Sequence, residues 1–173
     1  MSRPPLRDPA TTAVHPGSAS LEPRPDPGVG DGDHELACSI ARTLQVIGDR
    51  WSLLILRDAF RGVRRFDEFA DDLGIARNLL ADRLGRLVRH GIFEKVPYRD
   101  RPVRYEYRLT ARGLDLSPAL VALMRWGDKH LTDDEPPVVL VHKGCGHPLD
   151  QVFVCWECDE TITPRQISSD RRS

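Results

Sequence analysis

FDEFADDLGIARNLLADRLGRLVRHG, residues 66–91, decides the fold. A first helix is indicated by apolar residues at i, i+3, i+4 and i+7, namely Phe66, Phe69, Ala70 and Leu73. After a break at Gly74-Ile75, a second helix is indicated by Leu79, Leu80, Leu84, Leu87 and Val88. Two short amphipathic helices joined by a glycine-containing turn are typical of a helix-turn-helix.

The residues that follow predict a β-hairpin. Gly91 is placed to end the second helix. Residues 92–98 and 104–109 then resemble two strands around the turn Arg99-Asp100-Arg101-Pro102. A hairpin directly after a helix-turn-helix is a wing, so the expected fold class is α+β, mainly α, with a winged helix-turn-helix and a two-stranded wing.

Helices are also predicted on both sides of this motif. Residues 34–61 form two, the first with the apolar stripe Leu36, Ile40, Leu44 and Ile47, separated from the second at Gly48-Asp49. A further helix over 110–131 starts at Thr110 as N-cap and has more apolar surface than a small winged core can cover. We therefore expect dimerising helices and a homodimer, the alternative being that both helices only cover their own core.

The composition limits the function classes. The chain has 173 residues and a net charge of −1, but residues 34–130 contain 18 Lys and Arg against 13 Asp and Glu, whereas residues 131–160 contain one Lys against seven acids. The basic excess lies on the winged module and favours a phosphate-rich partner. We find no phosphate loop, nucleophile elbow or paired catalytic carboxylates, so an enzyme is not expected. No apolar run has the length of a membrane span, and no secretory signal is recognised, so we expect a cytoplasmic protein.

The outer face of the second motif helix supplies the candidate DNA contacts. It is formed by Arg77, Asn78, Ala81 and Asp82, with Arg83 and Arg86 at its flanks. Arg77 and Asn78 lie at the amino end of the helix, and arginine and asparagine can read guanine and adenine edges in the major groove. Phosphate or minor-groove contacts are predicted for Arg64, Arg65, Arg83, Arg99, Arg101 and Arg104.

The same stretch resembles a known family over about ninety residues. The matching positions include Ile47-Gly48-Asp49-Arg50-Trp51, Arg65-Phe66, Gly74-Ile75, Arg83-Leu84, Gly91-Ile92, Tyr107-Arg108-Leu109-Thr110 and Trp126-Gly127. In this order they resemble the HxlR family of bacterial winged-helix transcription regulators. The resemblance implies a dimeric regulator of operator DNA, expected to be a repressor, that responds to small molecules or to thiol stress. It also implies that Cys38, near the start of the first helix, is a thiol sensor as in some members; the alternative is a small buried hydrophobic residue.

The acidic tail predicts a structural zinc site. His142, Cys145, Cys155 and Cys158 occur as two pairs with x₂ spacing, separated by the apolar segment Val152-Phe153-Val154. Such pairs suit one tetrahedral Zn²⁺ in a small zinc-ribbon-like hairpin, with His147 as the alternative fourth ligand to His142. A thiol pair in a loosely ordered tail, or a disulfide between Cys155 and Cys158, remains the competing interpretation.

The chain is thus expected to have four parts. Residues 1–33 contain seven of the fourteen prolines and four glycines, and we expect a disordered arm. Residues 34–131 are the DNA-binding and dimerisation domain, 138–165 the zinc-ribbon-like extension and 166–173 a flexible tail. The expected function is a DNA-binding regulator acting as a homodimer on an inverted repeat. The alternative is a protein-interaction module in which the winged fold and the acidic extension recruit a partner.

Overall fold

The computed structural model describes residues 38–133 and 135–169. The predicted disordered arm, 1–33, and the last residues of the predicted flexible tail lie outside these ranges. The helices are α1 Ser39–Ile47, α2 Arg50–Phe60, α3 Phe66–Leu73, α4 Arg77–Arg89, α5 Ala111–Leu114 and α6 Ser117–Leu131. The strands are β1 Phe93–Asp100, β2 Val103–Leu109, β3 Phe153–Val154 and β4 Thr161–Ile162, followed by a 3-10 turn at Pro164–Gln166.

The predicted helix-turn-helix is confirmed as α3 and α4. Gly74, at the C-terminal end of α3, has a φ of 57°, a left-handed conformation that glycine adopts without steric cost. The apolar faces of the two helices meet helix α2 and strand β1 in one core. That core comprises Ile47, Ile55, Leu56, Phe69, Ala70, Ile75, Leu80, Leu84, Leu87, Ile92, Phe93 and Tyr107.

The predicted wing is confirmed and is longer than expected. Strands β1 and β2 pair antiparallel from Phe93↔Leu109 to Asp100↔Val103, with a bulge between Pro97 and Arg99. The strands therefore extend into Arg99-Asp100, which the sequence had assigned to the turn. Apolar alternation fades there because the tip is exposed on both faces.

The predicted helix over 110–131 is two helices. Thr110 is the N-cap as expected, and its Oγ1 accepts from the N–H of Gly113 at 3.2 Å. Helix α5 ends after one turn, and α6 begins at Ser117 with proline in its first turn. Since Pro118 has no N–H to donate to the preceding turn, one continuous helix cannot pass through it without losing a hydrogen bond.

Residues 138–165, which we call the tail from here on, form two short hairpins. Val141 pairs with Pro148 around the first, and β3 pairs with β4 around the second. The linking residues contact α6: Arg125 pairs with Asp150, and the side chain of Gln151 donates to the carbonyl of Pro118 at 3.0 Å. Within the described ranges, no helix is long and apolar enough to cross a membrane.

Candidate nucleic-acid interface

Arg77 is the first residue of α4, and its side chain is two-thirds exposed. Its Nη2 lies 2.7 Å from Oδ1 of Asp67 in α3, and its guanidinium is stacked 4.9 Å from the ring centroid of Phe66. An exposed ion pair of this kind contributes about 0–1 kcal/mol, so a base edge or a phosphate can compete for the guanidinium at little cost. The predicted base-reading position is therefore accessible and is pre-oriented by α3.

Asn78 follows on the exposed amino end of the same helix. Its Oδ1 accepts from the N–H of Leu79 at 2.9 Å, which partly satisfies a helix start whose N-cap, Ala76, provides no side-chain acceptor. Among the described residues, its side-chain NH₂ has no hydrogen-bond partner. The donor group that could meet an adenine or phosphate acceptor is thus unoccupied by protein.

Arg83 is placed differently from the other predicted contacts. Its side chain is only 24% exposed, its Nε donates to Oδ1 of Asp49 at 3.0 Å, and its Nη1 pairs with Asp82. Asp49 lies at the start of α2. The pair therefore joins α2 to α4, the second helix of the motif, which we call the recognition helix. Arg86 is half-buried one turn later, with no polar partner among the described side chains.

Asp49 holds Arg83 in place, a role that neither its position at the predicted helix break nor its place in the family pattern indicates. Its carboxylate caps α2 by accepting from the N–H groups of Trp51 and Ser52, each at 3.1 Å, and from the Ser52 hydroxyl at 2.6 Å. Burial raises the pKa of this carboxyl, but the hydrogen bonds from Ser52 and the Arg83 guanidinium outweigh that effect and hold the pKa below its usual value. The N-cap was recognisable from an aspartate before an apolar helix; the partnership with Arg83 was not.

The wing carries three exposed cations of the predicted set. Arg99, Arg101 and Arg104 are exposed on either side of its tip. Among the described residues none of these three side chains has an ion-pair or hydrogen-bond partner. Because these guanidiniums need not break an internal contact, they can hold phosphates directly, at the cost only of side-chain entropy.

Arg64 and Arg65 connect the wing to the start of α3. The carbonyl of Arg64 accepts from the N–H of Tyr107 at 2.8 Å, whereas its side chain is exposed. The Nε of Arg65 lies 3.7 Å from Oε1 of Glu106, and its guanidinium is stacked 4.7 Å from the ring centroid of Tyr98. A hydrogen bond from Arg108, with Arg65 and Arg64 nearby, holds the pKa of Glu106 below its usual value, so this carboxylate stays charged and orients Arg65.

These elements enclose an open cleft of about 320 Å³ between the amino end of the recognition helix and the wing. Its lining is Phe66, Asp67, Arg77, Tyr98, Val103, Arg104, Tyr105 and Tyr107. Arg77 and Arg104 thus face one concavity although they are far apart in sequence. The cleft brings together one predicted base-reading residue, Arg77, and one predicted phosphate-holding residue, Arg104, whereas the other predicted contacts lie outside its lining.

Two helices outside the motif expose apolar side chains. On α1, Ile40 is 71% exposed and Leu44 is 54% exposed, and only Ile47 of that helix is buried. No residue of α6 is buried, and its exposed members include Leu123, Trp126 and Leu131. These faces, which we call the α1 and α6 apolar faces, are the ones the sequence assigned to dimerisation.

The predicted sensor and metal residues lie away from the cleft or in the tail. Cys38 is the N-cap of α1; it is exposed and makes no side-chain capping bond. Nδ1 of His142 is 3.2 Å from Sγ of Cys145, and Nδ1 of His147 is 3.0 Å from the carbonyl oxygen of Cys145. Hydrogen bonds from the N–H groups of Cys158 and Glu157 and from the Cys158 side chain lower the pKa of the Cys155 thiol. Across residues 38–133 and 135–169, no group of three or more potential ligands is assembled for a metal ion.

The helix-turn-helix, its wing and the cationic cleft define a DNA-binding transcription regulator of the winged-helix class rather than an enzyme. The family model described as HxlR-like helix-turn-helix matches residues 46–135, and the chain belongs to that family. This confirms the resemblance found in the sequence.

Curated relatives and solved structures agree with this assignment. An uncharacterised HTH-type transcriptional regulator of Mycobacterium tuberculosis is 50% identical over 131 residues, covering 75% of this chain and 83% of the relative. The crystal structure of PA1607, described as a transcription factor, is 41% identical with a TM-score of 0.71, covering 82% of this chain and all of that one. The redox regulator HypR in its oxidised form is 31% identical with a TM-score of 0.50, covering 54% of this chain and 97% of HypR.

Proposed function

We propose that this regulator binds an inverted-repeat operator as a homodimer and represses transcription by occupying promoter DNA in the cytoplasm. The observation that carries the proposal is the common cleft of Arg77 on the recognition helix and Arg104 on the wing. A helix in the major groove beside a wing on the neighbouring backbone requires cations at both edges of one concave surface.

Arg77 and Asn78 are proposed to read bases, and Arg101 to hold a phosphate. Arg77→Ala should then cost about 1–3 kcal/mol at one operator base pair and relax the preference there. Arg101→Ala should weaken binding to all sequences and reduce the slope of log K against log salt by about one unit. Arg112→Ala, in exposed α5, is the matched loss of one positive charge away from the cleft.

Fluorescence anisotropy against a selected operator, its single-base variants and random duplex distinguishes these roles. Equal, sequence-blind losses from Arg77→Ala and Arg101→Ala would contradict the assignment of base reading to Arg77. An absence of salt-dependent binding to any duplex would instead favour the alternative of a protein-interaction module.

The dimer is proposed to form through the α1 and α6 apolar faces. Side chains such as Leu123 and Trp126 are more than half exposed in a single chain, and their burial against a second copy would remove apolar surface from water. A dimer with two recognition helices reads half-sites about 34 Å apart, one helical turn of DNA, which makes the operator an inverted repeat.

Trp126→Glu places a charge in that proposed interface. Light scattering should show the wild type at twice the chain mass and the variant shifted toward one chain mass, with operator affinity reduced in parallel. Trp156→Glu is the control, because Trp156 is an exposed tryptophan in the tail. A monomeric wild type at micromolar concentration would exclude the proposed dimer.

Repression is tested with a reporter downstream of the selected operator. Expression of this chain should lower reporter output, and the wing variant Arg101→Ala should restore it without lowering the protein level. Activation of the reporter by the wild-type chain would contradict repression.

We further propose that thiol oxidation at Cys38 regulates DNA binding, with a small-molecule effector as the alternative signal. Two features support this: Cys38 is exposed at the start of α1, and the similar protein HypR is a redox regulator. Diamide should change the operator affinity of the wild type and leave Cys38→Ser unaffected, whereas Cys155→Ser should respond like the wild type. An unchanged diamide response in Cys38→Ser would remove Cys38 as the sensor.

A further inference from the structure

The tail contains the same turn twice, thirteen residues apart. In the first copy the N–H of His142 donates to the carbonyl of His147, and in the second the N–H of Cys155 donates to the carbonyl of Glu160; both distances are 2.9 Å. The N–H of Gly146 donates to the carbonyl of His142 at 2.7 Å, as that of Asp159 does to Cys155 at 2.9 Å. The residues just outside each turn pair antiparallel, Val141 with Pro148 and Val154 with Thr161.

Both turns also adopt a left-handed residue at the same position. Gly146 has a φ of 73° and Asp159 a φ of 56°. Each directly follows the second residue of its pair, Cys145 or Cys158. Asp159 is the only non-glycine residue with positive φ in the described part of the chain. An aspartate held in this costly conformation, at the place where the other copy has glycine, indicates that the turn geometry itself is required.

This geometry brings the residues at the first and fourth positions of each turn toward one another. In the first turn they are His142 and Cys145, whose Nδ1 and Sγ atoms are 3.2 Å apart. In the second they are Cys155 and Cys158, which hold the same two places in the same hydrogen-bonded turn.

The course of the chain places both turns at corresponding ends of their hairpins. The first hairpin ends with the hydrogen bond between Leu149 and Leu140, and the second begins at Phe153. Only residues 150–152 link them, a reach of about 10 Å. That link is held on α6 by Asp150 and Gln151, so each turn lies at the end of its hairpin away from this anchor.

We propose that one Zn²⁺ ion joins the two turns, with His142, Cys145, Cys155 and Cys158 as its four ligands. The described residues form the two ligand pairs but no group of three, so the ion itself would draw the pairs together. Three sulfurs and one imidazole nitrogen match the donor preference of tetrahedral zinc. Four protein ligands leave no position for water, so the site is structural.

The repeated turn also selects the histidine. His142 occupies the position of Cys155, whereas His147 occupies that of Glu160 and its Nδ1 faces a carbonyl oxygen. None of the described residues 135–169 is buried, so this segment has no core of its own: Val139, Val152, Phe153 and Trp156 are all exposed, and Trp156 completely so. A segment of this size without a core requires a cross-link such as a metal ion to remain folded.

The test is the metal content and the Co²⁺ spectrum of the full chain. Protein purified without chelator should contain about one Zn²⁺ per chain. Replacement by Co²⁺ should give the strong d–d bands of a tetrahedral ion together with thiolate-to-cobalt charge transfer. Cys145→Ser, Cys155→Ser and His142→Ala should each weaken Zn²⁺ binding at least roughly tenfold, as loss of a ligand exceeds loss of the groups that orient it.

Three variants serve as matched controls. His147→Ala removes the other histidine and Cys38→Ser a thiol outside the tail; both should retain the full zinc content. His142→Cys should retain zinc and increase the charge-transfer intensity by one sulfur. Far-UV circular dichroism of every variant checks that the winged domain is folded, so that loss of zinc reports on the tail.

Several results would overturn the site. One is a wild type without zinc, or with a disulfide between Cys155 and Cys158 in freshly reduced material. Another is zinc loss in His147→Ala with retention in His142→Ala. One ion shared by two chains would refute the arrangement within a single chain.

Discussion

Asp49 and Arg83 provide the sharpest test of how the recognition helix is held. Asp49→Ala removes the N-cap of α2, which contributes about 1 kcal/mol, and it removes the bond from Arg83. For that pair, about a quarter exposed on both sides, we expect about 1 kcal/mol after allowing for solvent screening. The free energy of unfolding should therefore fall by about 2 kcal/mol in total.

Asp49→Asn separates the two contributions. An asparagine can still cap the helix through its side-chain oxygen but carries no charge for Arg83, so the loss should be about 1 kcal/mol. Arg83→Ala should then cost less in the Asp49→Asn background than in the wild type, with a coupling energy of about 1 kcal/mol. Asp71→Asn, an exposed carboxylate of α3, is the control for the loss of one negative charge.

Urea unfolding followed by circular dichroism measures these values, at fixed chain concentration because dimerisation adds to apparent stability. The coupling should also disappear in acid. The folded-state pKa of Asp49 is lowered, so its contribution is complete above the unfolded-state pKa and is lost as the pH falls through the folded one. A coupling energy near zero at neutral pH, or equal losses from Asp49→Ala and Asp49→Asn, would refute this account.

Two further predictions concern the wing junction and the recognition helix. Gly113→Ala should prevent stable folding, because a Cβ there would lie 2.3 Å from the carbonyl oxygen of Ile92. Thermal unfolding measures the effect, with Gly127→Ala as the control because nothing lies within 4 Å of a Cβ at that position. Asp67→Asn should raise DNA affinity severalfold, because it frees Arg77 and removes a negative charge from the cleft. Anisotropy titration measures the affinity, and a lower affinity in a folded variant would contradict the prediction.

Much of the fold was predictable because its signals are local. The apolar spacing of α3 and α4, the glycines that end them and the Thr110 cap each depend on residues a few positions apart. The division between α5 and α6 was missed although Pro118 marks it, since the apolar pattern continues across the break. The wing was underestimated because a two-sided exposed hairpin has no alternation to detect.

The candidate interface was predicted as a set of residues with base-reading or phosphate-holding roles, but without the contacts that each side chain makes inside the protein. The sequence gives no means of telling apart the contacts of the three arginines at positions 77, 83 and 101. In the structure Arg77 pairs with the exposed Asp67, and Arg83 is half-buried against Asp49. The side chain of Arg101 has no partner in the described part of the chain. These differences arise between helices, where the relative position of side chains depends on packing rather than on sequence spacing. Charge counts therefore predict a basic surface but cannot predict the ion pair between Arg83 and Asp49.

That ion pair also bears on regulation. Cys38 is the N-cap of α1, a helix that exposes Ile40 and Leu44 and ends at Ile47 in the core. Asp49 follows two residues later and holds Arg83 of the recognition helix. A change in α1, whether by oxidation or by contact with a second chain, therefore has one short covalent and ionic connection to the DNA-reading surface. Coupling between sites requires an energetic link and not proximity alone. If the Asp49 and Arg83 cycle gives the expected coupling, Asp49→Asn should reduce the effect of diamide on operator affinity, whereas Asp71→Asn should not.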